Sequence, residues 1–172
     1  KNPDGTDFLL DDPSGQPDPD DSPKVKKRAF ADLHRRALDL RDPRAARHAA
    51  AVAAFARDIA HSLGMDKDEC ELAHTAGLLH DLGHFALSDR AAERGRPLND
   101  DDWETIHRHP ELGADMLRDL GLYGPVADIV RAHHERVDGR GYPRGLPAEE
   151  IPELAKIIAV AEVYDTLTGK DT

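Results

Sequence analysis

Residues 44–63 read RAARHAAAVAAFARDIAHSL, and this stretch decides the fold class. Val52, Phe55, Ile59 and Leu63 recur at steps of three and four, which places them on one face of an α-helix. Gly64 follows, where a helix C-cap needs a residue free to adopt a left-handed conformation. Composition agrees. Aromatic residues make up 5% of the chain, and Ala and Leu dominate the apolar set, whereas sheets draw on β-branched and aromatic side chains. The expectation is an all-α bundle of about six to eight helices.

Working outward, a short first helix starts at Lys24, with Val25, Phe30, Leu33, Ala37, Leu38 and Leu40 as its apolar face, and Asp42-Pro43 ends it. A third helix runs from about Asp68 to His80 and stops near Gly83. A single helical turn is expected at Ser88–Arg94. Asn99 suits an N-cap for Asp100–His107, whose acidic first turn complements the helix dipole. Pro110 opens a helix to Leu120 with Leu112, Met116 and Leu117 inward, and Gly121 ends it. Pro125–His134 forms the next helix, Asp138–Pro147 a Gly/Pro-rich loop, and Pro152–Leu167 the last helix, apolar at Leu154, Ile157, Ile158, Val160, Ala161 and Leu167.

Residues 1–23 carry seven Asp, one Lys and five of the twelve prolines. Such a composition buries too little apolar surface to offset the entropy of ordering, so this stretch reads as an acidic Pro/Gly-rich linker or tail, and residues 24–172 as the one domain. The first residue is not Met, which is read as a fragment, and such a linker commonly joins a catalytic domain to an attached regulatory domain. The net charge of −11 argues against DNA or RNA as a partner, because nonspecific affinity there comes from basic side chains. A small anion remains compatible with a local arrangement of charge. The single Cys70 cannot close an internal disulfide and is expected to be a buried thiol. No apolar run reaches the roughly 18 residues that span a bilayer and no signal-peptide core is present, so the expected location is cytoplasmic, with no membrane role for this segment.

Two clusters carry chemistry. His80-Asp81 closes the apolar turn Leu78-Leu79, where a bare pair is costly to bury unless something satisfies both groups. A metal would do so, since one carboxylate can bridge two cations through its two oxygens; for the dipeptide alone, coincidence is the alternative. His133-His134-Glu135 precedes Asp138-Gly139-Arg140-Gly141-Tyr142-Pro143. Consecutive helical side chains point about 100° apart, so adjacent imidazoles can chelate only where the backbone turns, as at a helix end. Taken by itself, the glycine-rich loop reads equally well as ordinary surface.

Together these residues resemble the HD-GYP family of HD phosphohydrolases over roughly Ala45 to Thr168. His48 in Arg44-Ala45-Ala46-Arg47-His48 resembles the first metal histidine, and Leu79-His80-Asp81-Leu82-Gly83 the HD motif. His109-Pro110-Glu111-Leu112-Gly113 resembles the third element, His133–Pro143 the naming signature, and Ala159–Asp165 the closing carboxylate motif. The resemblance implies an HD-domain helical bundle in which His48, His80, Asp81 and a last-helix carboxylate hold one ion, while Asp81 bridges to a second held by His109, His133 and His134. Mixed imidazole and carboxylate donors suit Fe, Mn, Ni or Zn better than Mg, and the resemblance favours two ions, Fe or Mn. Such a pair activates water and neutralises charge on a phosphodiester. Asp81, His80 and His84 are then the catalytic candidates, and Gly141, Tyr142 and Pro143 shape the substrate site.

The chain departs from the family pattern at several places. Arg44 stands where some members have a Glu that recruits a third ion, so two are expected; Arg44 is a candidate phosphate contact, or an exposed helix-start residue. His84 replaces the Lys that commonly follows the HD motif, a shorter candidate for the same phosphate contact, or a solvent-exposed residue. Glu162 occupies the position of the last-helix aspartate and is the favoured ligand, with Asp165, three residues on, the alternative. Relatives usually continue past Lys170-Asp171-Thr172 through a basic segment and more helix, so the domain is expected to be truncated at its C-terminus. His34, His61, His74 and His107 read as polar-face or core-edge residues, and Trp103 as a packing residue.

The resemblance implies a phosphodiesterase that hydrolyses cyclic di-GMP to linear pGpG, with GMP as the product of a further cut, in bacterial second-messenger signalling. Two other readings stand beside it. One is a metal phosphohydrolase acting on another nucleotide or cyclic dinucleotide; the other is a noncatalytic module that binds a nucleotide or a signalling partner.

Overall fold

Helix breakers and caps set the element boundaries of the computed structural model, which describes residues 23–87, 97, 99–121 and 124–169. In chain order these are α1 (Pro23–Arg41), α2 (Pro43–Ser62), α3 (Lys67–Leu79), a 3-10 turn (Leu82–Ala86), α4 (Asp100–Ile106), α5 (His109–Asp119), α6 (Gly124–Ala132) and α7 (Glu153–Thr168). No strand occurs among the described residues, as the low β-branched and aromatic content anticipates. The expected tail falls almost wholly on residues 1–22 and the expected turn on Ser88–Arg94, both outside the described residues.

Asp42 breaks the chain between α1 and α2 and caps the second helix, accepting the amides of Arg44 and Ala45 at 3.0 and 3.1 Å. Such a cap contributes about 1 kcal/mol. Gly64 takes φ +80 just past the α2 C-cap. Asp66 and Glu69 form a reciprocal capping box at the start of α3, and Asn99 and Asp102 form another at α4.

Helix α3 lies at the centre, packed against α1, α2, α6 and α7, while α5 packs on α6 and on the 3-10 turn. Gly77 lets α3 approach α2 closely, since a Cβ there would sit 2.6 Å from the Ala53 Cα. The core joins Val52, Leu79, Leu117, Val130 and Ile158, each fully buried, and each such side chain contributes about 1.5–3 kcal/mol relative to exposure. Cys70 is buried in the same cluster. No described helix is long and apolar enough to cross a membrane.

Several expected faces are corrected. The first helix is not short but 19 residues long. Its inward stripe is Phe30, Ala31, His34 and Leu38, whereas Val25, Leu33 and Leu40 are 40%, 64% and 90% exposed. The physical reason is that α1 packs on α2 and α3 with one narrow face, and apolar residues recur on several of its sides. Leu63, Met116, Val160 and Leu167 are likewise exposed rather than inward.

Candidate metal centre

Three fully buried histidines stand where helices end or begin. His80 is the C-cap of α3, His109 opens α5, and His133 follows the last turn of α6. Each places Nδ1 against the carbonyl three residues earlier: His80 on Gly77 at 2.8 Å, His109 on Ile106 at 2.7 Å and His133 on Val130 at 2.6 Å. A carbonyl can only accept, so Nδ1 carries the proton in all three, and Nε2 of the neutral ring is a lone pair aimed inward.

Asp81 stands between them in the turn after α3. Its Oδ2 is 3.3 Å from His80 Nε2, and its Oδ1 is 3.4 Å from both His109 Nε2 and His84 Nε2. Two donor clusters therefore meet at one carboxylate. His48, His80 and Glu162 have ligand atoms within 4.8 Å of one another on one side, and His109, His133 and His134 do so on the other. Asp81, His84 and His109 form a third such group.

Glycines permit this approach. A Cβ on Gly83 would lie 1.9 Å from the His109 carbonyl oxygen, and one on Gly113 would lie 3.0 Å from the Gly83 nitrogen. The 3-10 turn and the start of α5 are thus in backbone contact, which carries Asp81 to His109. The LHDLG and HPELG segments owe their final glycines to this crossing.

Electrostatics show what the cluster demands. Burial opposes charge on His80, but the Asp81 and Glu162 carboxylates overcome it and raise the ring to about 9. Its buried Nε2 makes no hydrogen bond and meets the Asp81 carboxylate only as an ion pair at 3.3 Å, so positive charge is wanted at a nitrogen whose hydrogen-bonding capacity the protein leaves unmet. Burial lowers His109 to about 4 and His134 to about 3, and holds His133 well below the ordinary histidine range. These rings stay neutral, yet His109 Nε2 and His133 Nε2 face each other at 3.2 Å. Two lone pairs at that separation repel unless a cation lies between them. Burial would raise Asp81, but His80 and His84 hold it well below the usual carboxylate range; burial raises Glu162, partly opposed by His80. Imidazole nitrogens with two carboxylates form a donor set for divalent transition metals, and the unpartnered His80 nitrogen and facing lone pairs fit such ions.

Other sequence candidates take different places. Asp165 meets His48 Nδ1 through Oδ2 at 2.6 Å, behind the ring rather than within the donor cluster, the position of a residue that orients a ligand. Arg44 is exposed at the start of α2. Tyr142, joined to Pro143 by a cis peptide, lies beside His134 with ring centroids 4.7 Å apart and stacks on His107 at 4.2 Å. Burial, then Glu162 and Asp81, raise the Tyr142 phenol, which keeps it a neutral hydrogen-bond donor. Gly141 packs where a Cβ would come within 2.5 Å of the Glu135 Cα.

Sequence reasoning assigned Glu135 no separate role, yet it is buried and accepts the amides of Arg144 at 2.7 Å and Leu146 at 2.9 Å. It ties the signature loop to the turn that carries His133 and His134. The only available signal was its adjacency to the two histidines. His107, read as a polar-face residue, supports Tyr142; Trp103 is 48% exposed.

Residues 32–172 match the HD-domain family. A cyclic di-GMP phosphodiesterase of Pseudomonas aeruginosa is 40% identical over 123 residues, covering 71% of this chain and 30% of that protein. A 3′3′-cGAMP-specific phosphodiesterase of Vibrio cholerae is 30% identical over 133 residues, covering 77% and 29%. An HDG"Y"P protein from Bdellovibrio bacteriovorus has a similar solved structure, with a TM-score of 0.59 and 27% identity, covering 70% of this chain and 40% of that one. The chain spans about a third of the length of the curated relatives it matches. The chain belongs to the HD-domain family, in its HD-GYP branch.

Proposed function

We propose that this domain is a metal-dependent phosphodiesterase that hydrolyses cyclic di-GMP to linear pGpG, and pGpG to GMP by the same chemistry. The observation that carries this reading is Asp81, whose two oxygens face two separate histidine clusters. Two ions, Fe or Mn by family resemblance, would be held by His48, His80 and Glu162 on one side and by His109, His133 and His134 on the other. When bound, such a pair supplies Lewis acidity for activating water and for neutralising charge on the phosphodiester. The protein supplies rigidity. The backbone carbonyls fix three imidazoles in one tautomer, so little reorganisation accompanies charge development. His80 and Asp81 act by holding their donor atoms in place, and Tyr142, Gly141 and Pro143 form the wall that Glu135 anchors. His84 stands where the family pattern has a phosphate-contacting lysine, and Arg44, in place of a family glutamate, is a candidate phosphate contact at the start of α2. A regulatory domain elsewhere in the protein would control the activity.

A second reading, hydrolysis of another cyclic dinucleotide, is favoured by the likeness to a 3′3′-cGAMP-specific enzyme. Protein loaded with Mn or Fe(II) should be given cyclic di-GMP, 3′3′-cGAMP and linear pGpG, and the products separated by chromatography. Cleavage of cyclic di-GMP that disappears in Asp81→Ala supports the proposal. Cleavage of 3′3′-cGAMP alone transfers the assignment to the second reading, and full metal loading with no turnover transfers it to a noncatalytic binding module.

A further inference from the structure

The side chain at position 84 lies at the mouth of the metal centre, on the 3-10 turn that Gly83 presses against α5. We infer that His84 is a metal ligand, a fifth protein donor to the ion held by His109, His133 and His134, rather than a contact to substrate phosphate. The inference rests on the two-cluster reading above and adds a donor to it.

Three observations carry it. His84 Nε2 is 3.4 Å from Asp81 Oδ1, the same oxygen that lies 3.4 Å from His109 Nε2. With metal–nitrogen bonds of about 2.0–2.1 Å, donors sharing one ion lie about 3–3.5 Å apart, so this spacing suits common ligation. The His84 ring also stacks on the His109 ring, with centroids 4.1 Å apart and planes 18° apart, which sets their Nε2 edges side by side on that oxygen. Finally, Asp81, His84 and His109 have ligand atoms within 4.8 Å of one another.

His109 decides which ion His84 joins. Its Nδ1 donates to the Ile106 carbonyl at 2.7 Å, leaving Nε2 as its single lone pair. One lone pair serves one ion. Nε2 of His109 also faces His133 Nε2 at 3.2 Å, so the His109–His133–His134 group and the Asp81–His84–His109 group share an ion instead of making two sites. That ion gains the donors Asp81, His84, His109, His133 and His134, while the ion at His48, His80 and Glu162 keeps its own set. A lysine at position 84 would be protonated near neutral pH and would offer no lone pair. The exchange of lysine for histidine therefore turns a residue that can only attract phosphate into one that can hold metal.

Cobalt(II) titration of the whole chain tests this, with visible absorption and equilibrium dialysis as readouts independent of turnover. His84 is 40% exposed in its side chain, so His84→Ala and His84→Lys should both fold, which circular dichroism checks. In both variants the ion at the His109 cluster should bind about tenfold more weakly or worse, by comparison with the 10- to 100-fold effects of residues that merely orient ligands. Its d–d spectrum should change, and added imidazole should restore the parent spectrum in His84→Ala. The ion at His48, His80 and Glu162 should be unaffected. Parent-like affinity and spectrum in His84→Ala would overturn His84 ligation while leaving the two-cluster reading intact. Loss in His84→Ala with full recovery in His84→Lys would also overturn it, because charge rather than a lone pair would be the active feature. Failure of the parent chain to take up a second equivalent would overturn the two-cluster reading and this inference with it.

Discussion

Nδ1 of His48 on α2 and Oδ2 of Asp165 on α7 lie 2.6 Å apart, joining residues 117 positions apart in the chain. The contact fixes which face of the His48 imidazole turns toward His80, whose ring centroid is 5.5 Å away. It also divides labour between two carboxylates one helical turn apart: Glu162 lies in the donor cluster and Asp165 behind His48.

This division predicts different outcomes for two near-isosteric substitutions. Glu162→Gln replaces an anionic ligand with a neutral amide and should deplete the ion at His48 and His80 even at saturating metal. Asp165→Asn should leave that ion's stoichiometry intact and weaken its affinity about 10- to 100-fold, the usual effect of losing a residue that orients a ligand. Metal analysis after dialysis at several free-metal concentrations separates the two. Loss of stoichiometry in Asp165→Asn with none in Glu162→Gln would reverse the roles.

Asp81 predicts a loss at both sites at once. Its oxygens face His80 on one side and His109 and His84 on the other, so Asp81→Ala should remove both ions, whereas His109→Ala should deplete chiefly one. Metal-to-protein ratios on folded material provide the check. Retention of one full equivalent in Asp81→Ala would show that its two oxygens do not bridge.

Much of this arrangement was legible because the chain announces its breaks. Asp42-Pro43, Gly64, Asn99 and Gly121 mark helix ends through capping and left-handed backbone, effects local to a few residues. The same logic puts His133 and His134 at a helix end, since adjacent imidazoles converge only there, although α6 stops at Ala132 rather than running to the expected His134. Long-range packing was not legible. Leu33 and Leu40 look like core residues until α2 and α3 are seen to cover a different stripe of α1. Glu162 and Asp165 are both acidic and nearly on one face, so only the position of His48 separates them. Glu135 finds its partners nine and eleven residues downstream in a loop of irregular backbone, where no periodicity points to them.

Gly83 predicts a stability defect that travels into the site. Its added Cβ would meet the His109 carbonyl oxygen at 1.9 Å, a backbone atom that cannot rotate away. Overpacking of this kind typically costs about 1–3 kcal/mol and sometimes more. Gly83→Ala should lower the melting temperature and weaken the ion at His109, as the 3-10 turn and α5 separate. Gly124→Ala is the control, since a Cβ there meets nothing within 4 Å. Calorimetry that gave both variants the parent's melting temperature would show that the turn relaxes freely.

The two ions should differ in their response to pH between about 7.5 and 9, because their histidines are shifted in opposite directions. In the metal-free protein Asp81 and Glu162 raise His80 to about 9 against the effect of burial, so its Nε2 holds a proton that metal must displace. Burial lowers His109 to about 4 and His134 to about 3, so these nitrogens carry none in this window. One proton should leave for each ion bound at His80, and that ion's affinity should climb by up to about tenfold per pH unit, levelling above pH 9. The affinity of the ion at His109 should change far less. The same raised pKa stabilises the metal-free fold most fully below the ordinary histidine value of 6.5, and this contribution fades as pH rises through about 9. Chelator-treated protein should therefore lose thermal stability across that range, while metal-loaded protein, in which an ion replaces the proton, should lose less. Titration calorimetry in buffers of different ionisation enthalpy counts the protons directly. Equal proton release at both sites, or none at either, would contradict the opposed shifts and with them the separation of the centre into one half that waits protonated and one that waits neutral.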